Sequence, residues 1–84
     1  MAVGSELRLR RLRGDEALPK LDHYLNDAFM AGLPSVRIVH GKGTGVLRQA
    51  VHEVLAEHPL VKSFRPGGYG EGDVGVTIVE LANH

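Results

Sequence analysis

One short segment of this 84-residue chain combines residue types that can bind phosphate and move a proton. His40 and Lys42 lie there with three glycines at alternate positions, Gly41, Gly43 and Gly45. Glycine lets the backbone approach an anion closely, and the start of the helical pattern that follows would add a favourable dipole. The segment therefore predicts a phosphate-binding loop, and we expect the phosphate to belong to a nucleic-acid backbone.

The spacing of this segment excludes the two common nucleotide-binding loops. The P-loop places four residues between its first glycine and Gly-Lys-Ser/Thr, and the dinucleotide fingerprint reads G-x-G-x-x-G. The glycines here give G-x-G-x-G, and no acidic residue ends a following strand to hold a ribose. The chain is also short for a nucleotide-binding fold, so a free nucleotide is not the expected ligand.

The charge of the chain is neutral overall but unevenly distributed. Four arginines fall within six positions that contain no acid, and four acids follow on the first predicted helix: Arg8, Arg10, Arg11 and Arg13, then Asp15, Glu16, Asp22 and Asp27. This basic edge favours binding to phosphate. The alternative is a solvated arginine face that protects an edge strand from aggregation.

Composition places the chain among small folded domains. Hydrophobic residues make up 43% of it, which supports one modest core, and the absence of cysteine excludes disulfides, a thiol nucleophile and thiolate metal sites. It has neither an apolar run of membrane length nor a signal-peptide pattern, so we expect a cytoplasmic location and no membrane partner. Residues 1–5 are expected to be a tail or a remnant of expression cloning, and residues 6–82 the folded domain.

Hydrophobic periodicity predicts six elements in the order β-α-β-α-β-β. Asp15 and Thr44 are the expected helix caps, and Gly32 and Pro59 the expected helix breakers. Right-handed crossovers that step the same way across the sheet would place both helices on one face. The predicted strands are residues 6–12, 35–40, 61–65 and 74–81, with a glycine-rich loop at 67–73.

These residues resemble the Smr (small MutS-related) domain, whose signature is H-G-x-G-x-G followed by a helix. The resemblance runs from roughly Leu7 to Leu81 and looks like one subfamily, the Smr domain at the C-terminus of the second-type bacterial MutS paralogue. The segments that carry it are AGLP (31–34), VRIVHGKGTG (36–45), HPLVKSFR (58–65) and GVTIVEL (75–81). It implies an α/β two-layer sandwich, with a four-stranded mixed sheet and both helices on one face.

The resemblance implies a nicking endonuclease domain that binds DNA, within a larger MutS-like ATPase acting in recombination suppression and DNA repair. The alternative that it implies is a non-catalytic module that binds DNA or ribosomal RNA, in the rescue of collided ribosomes. A third interpretation, from the residues alone, is an interaction domain that uses the uncovered face of the sheet.

One motif departs from the family. The first strand of the family reads L-D-x-R or L-D-x-H, then glycine, whereas this chain has Leu7-Arg8-Leu9-Arg10-Arg11. Arg10 is retained, but Arg8 replaces the aspartate and Arg11 the glycine. The resemblance therefore supports the fold and nucleic-acid binding more strongly than catalysis.

The candidate catalytic residues are His40, Arg10 and Lys42. His40 can act as a general acid or base because its ordinary pKa is about 6.5, or it can simply fix the turn by bonding to the loop backbone. Arg10 and Lys42 would stabilise negative charge on the phosphate. The residues expected to bind nucleic acid are Arg8, Arg11, Arg13, Gly41, Lys42, Gly43, Thr44, Gly45, Arg48 and Tyr69.

The glycine-rich loop and the other histidines complete the candidates. Tyr69 can offer a stacking platform for a base or fold back over the sheet edge. The cofactor is unknown; Glu71 and Asp73 could hold a weakly bound divalent cation, although a solvated acidic turn is the favoured interpretation. Three histidines are interpreted as solvated, with no metal role: His23, His52 and His84.

Overall fold

The computed structural model describes residues 4–70 and 73–82; residues 1–3, 71–72 and 83–84 lie outside the described part. The elements follow the predicted order, with a short 3-10 helix (Asp73–Gly75) before the last strand. The strands are β1 (Glu6–Arg8), β2 (Ser35–Val39), β3 (Val61–Pro66) and β4 (Val76–Leu81), and the helices are α1 (Gly14–Met30) and α2 (Val46–Glu57). Neither of these two helices has the length and apolar character needed to cross a membrane.

The strands form one mixed sheet in the order β1-β2-β4-β3. β1 runs parallel to β2, whereas β4 runs antiparallel to both β2 and β3. Leu7 is paired with Ile38 across the parallel pair, and Val36 with Val79 across the antiparallel one. Because β1 and β2 are parallel neighbours, their carboxyl ends lie side by side at one edge of the sheet.

Both helices pack on the same face of this sheet, as predicted. In β2 the side chains of Val36 and Ile38 are buried, whereas Ser35 and Arg37 are exposed on the opposite face. Burial of a leucine, isoleucine or valine side chain contributes about 1.5–3 kcal/mol, so the shared core fixes how the elements are placed. The core joins both helices to the sheet through Leu9, Ala17, Leu21, Leu25, Ala28, Val36, Ile38, Val51, Leu55, Val79 and Leu81.

The first strand is shorter than predicted, and the predicted range of residues 6–12 is wrong beyond Arg8. Pairing with β2 ends where the N–H of Leu9 donates to the carbonyl of Val39 at 2.7 Å. The chain then turns, and Arg11 adopts a left-handed conformation with a φ of 69°, through which a strand cannot continue. Arginine stands here where the resembling family has glycine, the residue that this conformation favours.

Neither predicted cap residue, Asp15 or Thr44, occupies the N-cap position. α1 begins at Gly14, one residue before Asp15, and its N-cap residue is Arg13, which makes no side-chain cap. The N-cap residue of α2 is Gly45, which has a left-handed φ of 86°. Because it is a glycine, it has no side chain to cap the helix. Thr44 lies one residue before the N-cap, but its hydroxyl still accepts a hydrogen bond at 3.4 Å from the N–H of Val46, the first residue of the helix.

The last strand begins at Val76 rather than at Val74 as predicted. The preceding residues form the 3-10 helix. This turn brings the carbonyl of Gly75 to the end of β2, where it accepts hydrogen bonds from the N–H groups of His40 (3.1 Å) and Gly41 (2.9 Å). The 3-10 helix therefore anchors the start of the glycine loop.

Part of the segment predicted to be an N-terminal tail, residues 1–5, belongs to the folded domain. Residues 1–3 of the predicted tail lie outside the described residues. Ser5, assigned to the same tail, accepts a hydrogen bond at its carbonyl from the N–H of Arg37 at 2.8 Å. Ser5 therefore continues the pairing of β1 with β2.

Candidate nucleic-acid interface

The glycine loop, residues 40–45, lies at the carboxyl end of β2 and leads into α2. Gly41, Gly43 and Gly45 have φ angles of 83°, 27° and 86°. These positive values lie in the region that glycine adopts without the steric penalty of a Cβ. The three glycines thus give the loop a backbone course that other residues would strain.

Gly75 belongs to the same site, although it was not among the predicted site residues. A Cβ at this position would lie 3.3 Å from Cγ of Lys42 and 3.5 Å from the carbonyl carbon of Gly41. A larger residue would therefore push the glycine loop away from β4. The available signal was a glycine placed directly before an apolar strand, which often marks a close approach of two backbones.

A cavity of about 350 Å³ lies between the exit of β1 and the start of α2. Four cationic residues line it: Arg11 and Arg13 from the β1 exit, Lys42 from the glycine loop and Arg48 from the first turn of α2. None of the described residues that line this cavity is acidic. A concave surface with this charge concentrates phosphate groups. The structure therefore brings together eight of the ten predicted binding residues: these four cations and Gly41, Gly43, Thr44 and Gly45.

Arg10 lies on the other side of the glycine loop. Its side chain packs on the backbone of Gly41: a Cβ built on that glycine would lie 3.5 Å from Cγ of Arg10. Arg10 and Lys42 line a second cavity, of about 460 Å³, together with Gly75. Lys42 is 67% exposed and lies 3.9 Å from the carboxylate of Asp73. Lys42 therefore borders both cavities and can be reached from solvent.

Two predicted binding residues lie outside these cavities. Nε of Arg8 is 2.9 Å from the carboxylate of Glu6 on the exposed side of β1, and Arg8 lines neither cavity. Tyr69 is fully exposed and does not fold back over the sheet edge. It lines a shallow pocket with Lys42 and Asp73. Its ring is therefore accessible for stacking on a base beside Lys42.

His40 is buried at the end of β2, with 5% of its surface exposed. Nδ1 lies 3.0 Å from the carbonyl oxygen of Gly41, and Nε2 lies 2.8 Å from Oγ1 of Thr77. The contact with Gly41 is the one expected of a histidine that fixes the turn of the loop. Because both ring nitrogens are engaged, His40 can exchange a proton only through one of these partners or after one of the bonds opens.

The prediction that His52 is solvated is wrong. Its ring packs against Phe64, with 5.1 Å between ring centroids, and lies 6.1 Å from the ring of His40. Nε2 of His52 is 2.8 Å from the hydroxyl that also contacts His40, Oγ1 of Thr77. The helix turns this histidine toward β4, where the buried hydroxyl provides a partner that the sequence pattern did not reveal.

Burial lowers the pKa of both imidazoles below the usual value for histidine. For His40 the Gly41 carbonyl opposes this effect and the Arg48 cation adds to it. For His52 repulsion from His40 and from Arg48 lowers the pKa further. A phosphate bound beside Arg48 would offset the field of that cation and favour protonation of both rings.

We expect the domain to lose stability through these two histidines as the pH falls from about 7.5 to 5.5. Since their pKa values are lower in the folded chain than in the unfolded chain, the stabilisation from the neutral rings is complete above about pH 6.5 and is lost as the pH falls toward the folded values. Urea denaturation at both pH values should show a smaller loss for a His40→Asn/His52→Gln double variant. His23→Gln, on the exposed face of α1, should behave like the parent. An equal pH dependence in parent and double variant would contradict the expectation.

The described residues contain no group of three or more His, Cys, Asp or Glu side chains placed to hold a metal ion. Asp73 is exposed, and Glu71, its partner in the predicted cation site, lies outside the described residues, as does His84. His23 is exposed, as predicted, and lies 3.4 Å from Asp27 on the same helix. No ligand set for a cation is therefore assigned within the described ranges.

Comparison with known proteins identifies the class to which this fold and loop belong. The family model described as the Smr domain matches residues 7–82, and the chain belongs to the Smr domain family. Its structure is similar to the crystal structure of the Smr domain of Thermus thermophilus MutS2, with a TM-score of 0.91 and 46% identity. That match covers 94% of this chain and 99% of the other. The predicted family and the fold expected from it are confirmed.

Further relatives extend this similarity. YdaL, a stand-alone small MutS-related protein from Escherichia coli, has a TM-score of 0.89 and 26% identity over 94% of this chain and 65% of its own. The Caldicellulosiruptor saccharolyticus protein named Endonuclease MutS2 is 56% identical over 80 residues, which are 95% of this chain and 10% of that protein. The chain thus spans about a tenth of the length of such curated relatives.

Proposed function

We propose that this domain binds the phosphate backbone of DNA and nicks one strand by hydrolysis of a phosphodiester bond. The observation that supports this most is the cavity beside the glycine loop. Four cationic residues line it, and none of the described residues that line it is acidic. It lies at a helix N-terminus, where an anion is favoured. The name Endonuclease, which the Caldicellulosiruptor relative carries, supports the hydrolytic step.

Each residue of the site has a proposed role in this reaction. Lys42 and Arg48 hold the backbone, and Arg10 joins Lys42 in stabilising the negative charge that develops at the phosphate. His40 moves the proton. Tyr69 stacks on a base next to Lys42. The exposure of the cations supports these roles, because contacts with a nucleic-acid backbone must face solvent.

The setting of the domain is part of the proposal. The relatives named Endonuclease MutS2 are about ten times longer than this chain, which supports a place within a larger MutS-like ATPase. In that setting the domain would act in the cytoplasm, in recombination suppression and DNA repair. Residues 6–82 would be its folded unit, with Ser5 continuing the first strand.

A second candidate function is a binding module without catalysis, acting on DNA or on ribosomal RNA in the rescue of collided ribosomes. The burial of His40 favours it, since both ring nitrogens already have partners inside the protein. Arg8, which replaces the aspartate of the resembling family, also favours it. The same cationic cavity would then serve only to position the larger protein.

A nicking assay on a supercoiled plasmid, with and without a chelator, separates the two functions. Relaxed plasmid that increases with protein concentration and exceeds a mock preparation supports the nuclease. Retarded migration of the same plasmid without relaxation supports the binding module. Loss of nicking in the chelator arm would show that a divalent cation is required.

Replacing Lys42 or Arg48 by alanine should weaken binding to a labelled DNA duplex without unfolding the domain. Both side chains are exposed and neither belongs to the core. Each lost phosphate contact should reduce the slope of log affinity against log salt by about 0.9. Fluorescence anisotropy titrations at several salt concentrations measure that slope.

Lys62→Ala is the matched control for these variants, because Lys62 is an exposed lysine of β3 that lines neither cavity. It should keep the parental slope. Parental slopes in both Lys42→Ala and Arg48→Ala would place the phosphate site elsewhere. A lowered melting temperature in either would show that the side chain packs rather than binds.

A further inference from the structure

The hydroxyl of Thr77 lies between two imidazoles that belong to different elements. Oγ1 is 2.8 Å from Nε2 of His40, at the end of β2, and 2.8 Å from Nε2 of His52, on α2. Thr77 is fully buried and His40 nearly so, whereas His52 is only partly buried. The three side chains therefore connect the interior of the site with its surface.

The chemistry of the partners fixes the direction of each hydrogen bond. The carbonyl oxygen of Gly41 can only accept, so Nδ1 of His40 carries the proton and Nε2 is left as an acceptor. The Thr77 hydroxyl then donates to His40, and its oxygen accepts the Nε2–H of His52. Within the described residues, no buried side-chain nitrogen or oxygen lacks a partner.

The same chain of bonds can carry one proton inward. When His52 takes up a proton at Nδ1, its Nε2 proton can pass to Oγ1 of Thr77 while the Thr77 proton passes to Nε2 of His40. His40 becomes the imidazolium, and His52 returns to a neutral ring with its proton on Nδ1. Every bond between the three side chains is reversed and none is lost. A second proton would leave the buried hydroxyl facing two donors, with no acceptor for its own hydrogen, which is costly.

The outer end of this chain reaches a surface cavity. His52 lines that cavity with Arg48 and Glu53, and its Nδ1 forms no hydrogen bond within residues 4–70 and 73–82. Arg48 is the cation whose field reaches both rings. Glu53 is the acid beside His52 on the same helix, and β3 contributes the apolar ring of Phe64. Protons can therefore enter at Nδ1 of His52, whereas both ring nitrogens of His40 are already engaged by Gly41 and Thr77.

We propose that Thr77 and His52 are positioning residues that form a proton relay between His40 and solvent. Its catalytic meaning rests on the nuclease function proposed above, because hydrolysis requires His40 to exchange a proton and both of its ring nitrogens are bonded to partners inside the protein. The relay itself does not depend on that function. It predicts that the two histidines share one proton in a single titration step.

The test is a pH titration of the chain labelled with nitrogen-15 histidine, followed by NMR of the ring nitrogens. In the parent, neutral His40 should be the Nδ1–H tautomer, and His40 and His52 should shift together in one step. Thr77→Val removes the hydroxyl at nearly constant volume, so the shared step should be lost and the tautomer preference weakened. Thr77→Ser should restore both. His52→Gln keeps an N–H donor but cannot titrate, and should leave His40 to titrate alone.

An Nε2–H tautomer of His40, or separate steps that stay unchanged in Thr77→Val, would overturn the relay. If Thr77→Val does not fold, the ring-nitrogen signals of the parent, Thr77→Ser and His52→Gln still test the relay. Nicking assays separate this inference from the proposed function. A shared step in a protein that does not nick keeps the relay and rejects the nuclease. Nicking with an unchanged pH profile in both Thr77→Val and His52→Gln rejects the catalytic role of the relay.

Discussion

Replacing His40 by asparagine should slow plasmid nicking by about 100- to 10,000-fold, the contribution typical of a positioned acid–base group. Asparagine can keep an N–H donor toward the carbonyl of Gly41 but cannot take up a proton. The variant therefore can retain the contact that fixes the loop, while it loses the proton chemistry and the hydrogen bond with Thr77. The rate of conversion of supercoiled to relaxed plasmid measures the effect, with DNA affinity measured in parallel.

His23→Asn is the matched control, because it changes an exposed histidine of α1 that lines neither cavity. Purified in the same way, it should nick at the parental rate, whereas activity that persists in His40→Asn at the parental rate can come from a contaminating nuclease. A His40→Asn protein that binds DNA and nicks at the parental rate would rule out the proton role. Equal losses of affinity and rate would show that His40 acts on the shape of the loop.

The order of elements and the helix faces could be predicted because apolar residues repeat with the periods of regular structure. Leu21, Leu25 and Ala28 recur at helical spacing, and all three are fully buried. The glycine loop was equally accessible to prediction, since alternate glycines after an apolar strand have few other uses. These features depend on local sequence, and the structure confirms the element order, the buried helix faces and the position of the loop between β2 and α2. Binding of phosphate by the loop stays a prediction.

Two features of the site depend on the tertiary fold and could not be predicted. Arg11 adopts a left-handed conformation that arginine seldom takes, so no local preference marked the end of β1. His52 and Thr77 are 25 residues apart, and their contact depends on how α2 is rotated over β4. One signal was present: Thr77 is a hydroxyl within an apolar strand, and a buried hydroxyl needs a partner.

Leu9→Ala should lower the free energy of unfolding by about 2–5 kcal/mol, the usual cost of truncating a fully buried leucine. Leu9 is fully buried, and it packs into the core at the point where β1 ends. At about 0.05–0.15 kcal/mol per residue, a domain of this length has a stability on the order of 4–13 kcal/mol, so the loss is a large fraction. Urea denaturation followed by circular dichroism measures it.

Arg8→Ala is the matched control, one position earlier in the chain. Its side chain is exposed and pairs with Glu6 on the surface, so the free energy of unfolding should change by no more than about 0.5 kcal/mol. Equal stabilities of the two variants would mean that burial of Leu9 in the core does not stabilise the end of β1.

The position of Leu9 also ties stability to binding. Three exposed arginines, Arg10, Arg11 and Arg13, follow Leu9 and line one or the other cavity. Leu9, which is fully buried, and Leu12, which packs against the core, hold the turn that presents them. Leu9→Ala should therefore reduce DNA affinity even at a temperature where the variant remains folded. Arg8→Ala, which lies outside both cavities, should keep the parental affinity. A folded Leu9→Ala protein with parental affinity and salt slope would show that the glycine loop and α2 alone form the phosphate site.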